Sequence, residues 1–302
     1  MKFFVSVFLL SIFLFSSTSF TQIGVKINSL PPFEATEYLR PLSTWFGTYF
    51  NSGTYYDADV PDIFGFKFNI IGMWTLIPEN QKTFQPNPKI EGVKNPDPTA
   101  TVFGNKSSYY LSSHGYFAYP AGFALNSLPS GIYQFAGSLY NTELLFRFFP
   151  KVKFEKTKVG IFGVGLKHDF SGDFPIPVDI SVQVLYNRFD FEYTEGDVED
   201  FTIVKSNNFA FNVHGSKTFA GMFIAYAGMQ VETSSMDLEY YFDDPNDLYT
   251  DISNKNHKVD IKGENVFRFT IGGAVKLGFF VVNADVNLTK LTTFTTGLSL
   301  DF

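Results

Sequence analysis

From about residue 142 to the end of the chain, apolar and polar residues alternate with a period of two, in runs broken by short turn signals. This is the pattern of strands that keep one face apolar and the other wet. In the last run Phe294, Thr296, Leu298, Leu300 and Phe302 share one face, and Thr295, Gly297, Ser299 and Asp301 share the other. Before it, Phe267, Phe269, Ile271, Val275 and Leu277 oppose Arg268, Thr270 and Lys276, and Phe280, Val282, Ala284, Val286 and Leu288 oppose Asn283, Asp285 and Asn287, with a tight turn at Gly278 between the two runs. Val178, Ile180, Val182, Val184 and Tyr186 alternate with Asp179, Ser181, Gln183 and Asn187, and Leu144, Phe146 and Phe148 with Glu143 and Arg147. The runs approach the roughly 9–11 residues with which a tilted strand crosses a bilayer. They predict an all-β, antiparallel barrel with an apolar outside and a polar lumen. Lys67, Glu143, Arg147, Lys167, Asp179, Arg268, Lys276 and Asp285 are the expected lumen-facing polar residues.

With both termini at one end of such a barrel, short turns belong at that end and long loops at the other. Counting back from Phe302 puts the connections near Leu291, 234–258, 193–200 and 150–157 at the long-loop end, and those near Gly278, Lys217 and 170–176 at the short-turn end. Counting forward gives strands over 44–56 and 62–77, a Pro- and Asn-rich stretch to about residue 130, and one further strand near 101–118. The total is about twelve strands, within a range of ten to fourteen. Residues 31–42, PPFEATEYLRPL, predict a short helix started by two prolines and ended by Pro41. It belongs to an N-terminal segment, residues 22–43, ahead of a barrel over 44–302, and either plugs the lumen or lies against the rim.

Composition turns the barrel toward a membrane. The chain has 302 residues with 38 Phe and 16 Tyr, an aromatic share of 19% that exceeds ordinary soluble composition. No stretch after residue 22 approaches the roughly 18 consecutive apolar residues of a membrane helix, so the apolar surplus is carried by the alternating runs. A soluble sandwich shows the same alternation, but the start of the chain points to export. Lys2 precedes an apolar run from Phe3 to Phe15 and a small, polar stretch from Ser16 to Thr21, so residues 1–21 read as a secretory signal peptide with Gln22 as the mature N-terminus. The absence of cysteine excludes disulfides, thiolate metal sites, a cysteine nucleophile and a lipidated cysteine. A net charge of -7 without basic runs excludes nucleic acid.

The segments YLRPLSTWFGTYFNSGTYYDA, IFGFKFNIIGMWTLIPENQKTF, PTATVFG, NTELLFRFFPKV, VGIFGVGLKHDF and PVDISVQVLYNRF resemble an uncharacterised family of outer-membrane β-barrel proteins of Bacteroidota. The resemblance covers most of the mature chain and implies a Gram-negative outer-membrane location. In general character the family is similar to the long-chain fatty-acid transporter barrels. An amphipathic last strand ending in Phe also resembles the signal by which such barrels are recognised for assembly, here Leu298, Leu300 and Phe302. The implied partners are outer-membrane lipids and lipopolysaccharide, the barrel-assembly machinery and a small hydrophobic ligand.

Candidate chemistry is sparse. His214 and Ser216 share a strand face, with Glu232 on the next strand, an arrangement that suits a lipid hydrolase. Their place near the short-turn end keeps them from outer-leaflet substrates. Lys167, His168, Asp169 and Ser171 form a second polar cluster, read as interfacial, and histidines at 114, 168, 214 and 257 are too scattered for a metal site. Asp237, Glu239, Asp243, Asp244, Asp247 and Asp251 suit oxygen-ligated calcium, ion-bridged lipid phosphates or plain solvation, without the spacing of an EF-hand. A lumen of mixed sign points away from a charge-selective porin. The expected function is a narrow channel for small hydrophobic molecules, with a structural or partner-binding barrel as the alternative and a hydrolase as the remote one. No cofactor, metal or enzymatic activity is otherwise expected.

Overall fold

The computed structural model describes residues 26–302 apart from 91–95, 113–114, 155, 174–176, 195–200, 245–247 and 250. The signal-peptide reading of residues 1–21, His114 and Asp247 lie outside the described residues. One long helix, α1 (Pro32–Asn51), precedes the strands. Ten strands then close a ring: β1 (Gly65–Leu76), β6 (Ser127–Leu139), β7 (Thr142–Phe154), β8 (Thr157–Asp169), β9 (Asp179–Thr194), β10 (Phe201–Phe219), β11 (Phe223–Phe242), β13 (Phe267–Leu277), β14 (Phe280–Leu288) and β15 (Thr293–Asp301). All pairings are antiparallel, and β1 closes the barrel by pairing with β15 on one side and β6 on the other, Ile70 standing opposite both Leu298 and Tyr133. Short turns at 140–141, 220–222 and 278–279, together with the described 170–173 and 177–178, define a lower end. The upper end carries 77–126, with β2 (Thr83–Phe84), β3 (Thr99–Ala100), β4 (Tyr109–Ser112) and β5 (Gly115–Ala118), and 243–266, with β12 (Lys255–Lys262) paired to the top of β11.

The strand faces follow the sequence alternation and then reverse it. On the lower part of β9, Ser181, Gln183 and Asn187 point inward and Val182, Val184 and Tyr186 outward. Higher up, Phe189, Phe191 and Tyr193 are inside while Arg188, Asp190 and Glu192 are outside. On β11, Gln230, Glu232 and Ser234 give way inside to Met236, Leu238, Tyr240 and Phe242, and outside Met229 and Val231 give way to Thr233, Ser235, Asp237 and Glu239. The barrel therefore has two storeys. The lower one has an apolar skin around a polar lumen, and the upper one has the charged skin and apolar interior of a water-exposed domain. Strands of 16, 19 and 20 residues (β9, β10 and β11) exceed what a bilayer crossing needs, and the excess builds the upper storey.

Four expectations are corrected. The ring has ten strands, at the lower limit of the expected range rather than twelve. Residues 101–118 add no barrel strand; they fold over the top, where Val102, Phe103, Tyr110 and Phe117 join the upper core. Residues 44–51 are helix rather than strand, and Pro41 does not end α1. Pro41 lacks the amide that would bond the Glu37 carbonyl, yet the helix continues, and from Pro41 to Asn51 it is buried on all sides. Its hydroxyls also bond back one turn: Thr44 to the Arg40 carbonyl (3.0 Å), Thr48 to that of Thr44 (3.2 Å) and Ser52 to that of Thr48 (2.6 Å). Finally, the described chain does not begin and end at the same end. Lys26 donates to Gly122 O (3.4 Å) and Asp243 N donates to Asn28 O (2.9 Å) at the top, whereas Phe302 bonds Phe66 at the bottom.

Candidate functional site

Because β1 starts at the lower end and Lys26 sits at the upper one, residues 26–64 descend through the whole lumen. Their path is fixed at four levels. At the top, Tyr240 donates to Leu30 O (2.8 Å), Tyr38 to Ala121 O (3.3 Å), and Val102 N to Tyr38 O (3.0 Å). Glu34, in the first turn of α1, accepts from Tyr119 at 2.7 Å. Burial pushes the Glu34 carboxyl up to about 7, against the lowering effect of the Tyr119 bond.

At mid-height α1 touches the wall closely enough to require glycine on both sides. A Cβ on Gly47 would lie 2.9 Å from the Ser234 Cβ, and one on Gly263 would lie 3.1 Å from the Ser43 carbonyl carbon. Ser43 donates to Ile261 O (2.8 Å), and Asn265 donates to Thr44 O (2.9 Å) and Thr48 Oγ1 (2.7 Å). Trp45 stacks on Tyr49 (5.2 Å), and Phe46 meets Phe189 of β9 (4.9 Å).

The end of α1 is held by two buried arginines. A helix C-terminus presents unbonded carbonyls and a partial negative charge. Arg147 of β7 donates to Phe50 O (2.7 Å), Ser52 O (2.9 Å) and Gly53 O (3.2 Å), and is itself positioned by Gln134 of β6 (2.8 Å). Arg268 of β13 donates to Thr48 O (3.2 Å) and the Ser52 hydroxyl, and pairs with Glu232 of β11 at 2.9 Å. Asn187 adds a bond to Phe50 O (3.0 Å) and Gln230 one to Asn51 O (3.4 Å). Donors from β7, β9, β11 and β13 thus converge on one helix end.

Below the helix the chain stays engaged. Tyr55 stacks on His214 (3.8 Å) in a space left by Gly228, where a Cβ would lie 2.3 Å from the Tyr55 hydroxyl. Ser216 donates to Asp57 (2.7 Å) and accepts from Ala58 N (2.9 Å), while Val60 N donates to Asp169 (3.2 Å). Glu143 lies between Lys67 (3.0 Å) and Lys167 (3.3 Å), and Lys167 also donates to Asp57 O (3.3 Å). The cavity among Tyr55, Tyr56, Lys67, Gln134 and Glu143 has a volume of about 10 Å³, the room of a single water.

Of the expected lumen residues, Lys67, Glu143, Arg147, Lys167, Arg268 and Asp285 are buried on the inner face. Asp285 accepts from Tyr226 (2.8 Å) and Asn287 (2.6 Å). Asp179 is half-buried at the lower rim, and Lys276 is exposed there, 3.5 Å from Asp301. Among these residues the arginine clamp and the Glu143 pair with its lysines hold the threaded segment. Sequence reasoning missed Gln134, Asn187, Gln230 and Glu232 as parts of this clamp, although the inward parity of each could have marked it. Glu232 is engaged by Arg268 rather than by His214, whose Nδ1 meets Asn212 at 2.8 Å, so the triad-like arrangement does not form. Of the second polar cluster, Lys167 and Asp169 point inward, whereas His168 faces Thr142 (2.9 Å). Among the described residues no group of three acids or histidines gathers as a metal site. Asp237 and Glu239 lie on β11 rather than in a loop, and Asp244 caps Tyr249 N (2.5 Å).

Comparison with known proteins matches residues 1–302 to a family described as "Family of unknown function (DUF6588)". No curated protein matches the sequence. Among solved structures the chain is similar to the beta domain of the Bordetella autotransporter Brka, at 9% identity over 80% of this chain and 100% of that one, with a TM-score of 0.29. It is also similar to the translocator domain of the autotransporter NalP from Neisseria meningitidis, at 8% identity over 89% of this chain and 97% of that one, TM-score 0.33. A third is Ail, the attachment invasion locus protein of Yersinia pestis, at 10% identity over 79% of this chain and 99% of that one, TM-score 0.17.

Proposed function

The chain belongs to the family of unknown function DUF6588, and we propose that it is an outer-membrane barrel closed at rest by its own N-terminal segment, which presents a folded upper storey at the cell surface. The observation that carries this reading is the clamp: α1 fills the lumen, and Arg147 and Arg268 hold its end from two sides. Hydrogen bonds to charged groups contribute about 1.5–3 kcal/mol each, so a ring of them keeps the plug seated. The location is supported by the apolar skin of the lower storey and the segregation of short turns from long loops. The last strand fits an assembly signal, with Leu298, Leu300 and Phe302 facing outward and Phe302 stacked on Phe279 at 5.6 Å.

This reading favours a structural or partner-presenting role over a standing channel. Passage of small hydrophobic molecules is the second reading, supported by the apolar upper lumen of Phe189, Phe191, Leu238 and Phe242, and it requires α1 to move. A hydrolase is the least suited to this geometry, because the Ser216 hydroxyl donates to Asp57 and Glu232 serves Arg268.

Since the chain has no cysteine, single-cysteine variants report topology cleanly. In intact cells a membrane-impermeant maleimide should label Asp251→Cys and Lys26→Cys, and label Thr218→Cys only after the outer membrane is permeabilised. The protein should sediment with outer membranes and migrate faster on gels when unboiled. Recovery as a soluble periplasmic monomer, or the reverse labelling pattern, overturns the reading.

A further inference from the structure

The outer wall just above the apolar skin carries a second feature, unrelated to the plug. Across four adjacent strands the ladder aligns charged side chains in rows. Gly160 stands opposite Asp190, which stands opposite Lys205, with Lys151 lying over Gly160. One row higher, Lys153 faces Lys158, which faces Glu192. One row lower, Arg188 stands beside Phe162. The next row down is Val164, Tyr186 and Phe209, part of the apolar skin. On these four strands five cations thus meet two acids, with Asp237 of β11 standing opposite Lys205 at their edge, in a chain whose net charge is -7.

Both acids are already engaged: Asp190 by Arg188 (3.1 Å) and Lys151 (3.5 Å), and Glu192 by Lys158 (3.0 Å). Lys153 makes no ion pair among the described residues, Lys205 faces Asp237 across the β10–β11 ladder without a described ion pair, and Lys151 and Lys158 keep about half of their side chains in solvent, 54% and 52%. The acids at 195, 197, 199 and 200 lie outside the described residues.

We propose that the outer faces of β7 to β10 form a docking surface for the phosphorylated headgroup of an outer-leaflet glycolipid, with Lys151, Lys153, Lys158, Arg188 and Lys205 as the phosphate-binding cations. The proposal rests on the outer-membrane reading. Two features select a lipid over a free anion. The cations are spread over a flat sheet face with no enclosing cavity, so a small ion gains few contacts, while a headgroup bearing several phosphates reaches several lysines at once. The surface is also continuous with Phe148, Phe162, Tyr186 and Phe209, exposed on the skin below, where the same lipid's acyl chains lie. Lysine and arginine bind phosphate through charge-assisted bonds, and their aliphatic stems tolerate the apolar boundary.

The test uses the purified full-length protein in detergent, incubated with bis-phosphorylated lipid A or with its dephosphorylated form, and counts bound lipid by native mass spectrometry. Wild type should retain the phosphorylated lipid preferentially. The triple variant Lys151→Gln/Lys153→Gln/Lys205→Gln should bind it at least about tenfold more weakly, given a contribution of several-fold per cation near a charged surface. The control Lys255→Gln/Lys258→Gln, on β12 of the same storey, should bind as wild type does, and excess inorganic phosphate should not displace the lipid. Equal retention by wild type and the triple variant, or no preference for the phosphorylated lipid, overturns the proposal. Because binding is read on isolated protein, such a failure is distinct from a failure of the cellular location, which the labelling experiment reads.

Discussion

Arg147 and Arg268 stand five strands apart on a ring of ten, diametrically opposed, and both donate to Ser52: Arg147 to its carbonyl at 2.9 Å and Arg268 to its hydroxyl. One residue thus joins two walls to the end of the same helix. The pairing uses what each partner lacks, since the helix end has orphan acceptors and a guanidinium buried in a lumen needs acceptors to remain charged.

Removing Arg268 should harm the protein more than removing the whole ion pair. Arg268→Met leaves Glu232 buried without its cation and should cost about 3–5 kcal/mol, whereas Arg268→Met/Glu232→Leu should recover a large part of that loss. Arg147→Met, which strands carbonyls rather than a carboxylate, should cost about 2–4 kcal/mol. The shift in the denaturant concentration at which the fast-migrating unboiled form disappears measures all three. A double variant no more stable than Arg268→Met would show that the pair is not the source of the effect.

The contact of Gly47 with Ser234 makes a steric prediction. Gly47→Ala places a methyl 2.9 Å from the Ser234 Cβ, and such overpacking should destabilise by about 1–3 kcal/mol. Ser234→Gly should relieve it in the double variant. If Gly47→Ala is neutral alone, the helix does not press on β11 as described.

The strands were legible and the helix was only half so, for one physical reason. On β13 to β15 outward-facing and lumen-facing residues differ in polarity, and Phe294 against Thr295 is enough to assign faces. Residues 44–51, TWFGTYFN, show no such contrast, because a helix inside a barrel is walled on every side: Trp45, Phe46, Tyr49 and Phe50 are buried together with Thr44, Thr48 and Asn51. A helix buried all round loses its amphipathic stripe, and its aromatic and β-branched residues then read as strand. The inversion between storeys was hidden for a related reason. Alternation survives it unchanged, so Arg188 and Phe189 continue the period while exchanging roles with Tyr186 and Asn187. The clamp was visible as single polar residues but not as a site, since a convergence of β7, β9, β11 and β13 depends on ring closure, which no local pattern encodes.

Acidity should tighten the upper end. Burial raises the Glu34 carboxyl to about 7 from its ordinary 4.5, so the closed top favours the protonated form. Its full stability is present below about pH 4.5 and is lost as pH rises toward and through 7, a change of about 3 kcal/mol. Once the base-catalysed intrinsic exchange rate is divided out, protection of the amides in α1's first turns should therefore be greater at pH 5 than at pH 8, and Glu34→Gln, which cannot ionise, should flatten that protection profile. An unchanged pH slope in Glu34→Gln would remove Glu34 as the cause.

Conductance of the purified protein in planar bilayers addresses the sealed lumen most directly. The intact chain should give no stable open channel, because α1 and residues 52–64 occupy the lumen from end to end. Arg147→Met/Arg268→Met, which keeps the barrel wall and releases the helix end, should produce frequent openings, and deletion of residues 26–51 should produce a steady conductance. Large, long-lived channels from the intact protein, or equal silence from all three, would contradict a plug held by these two arginines.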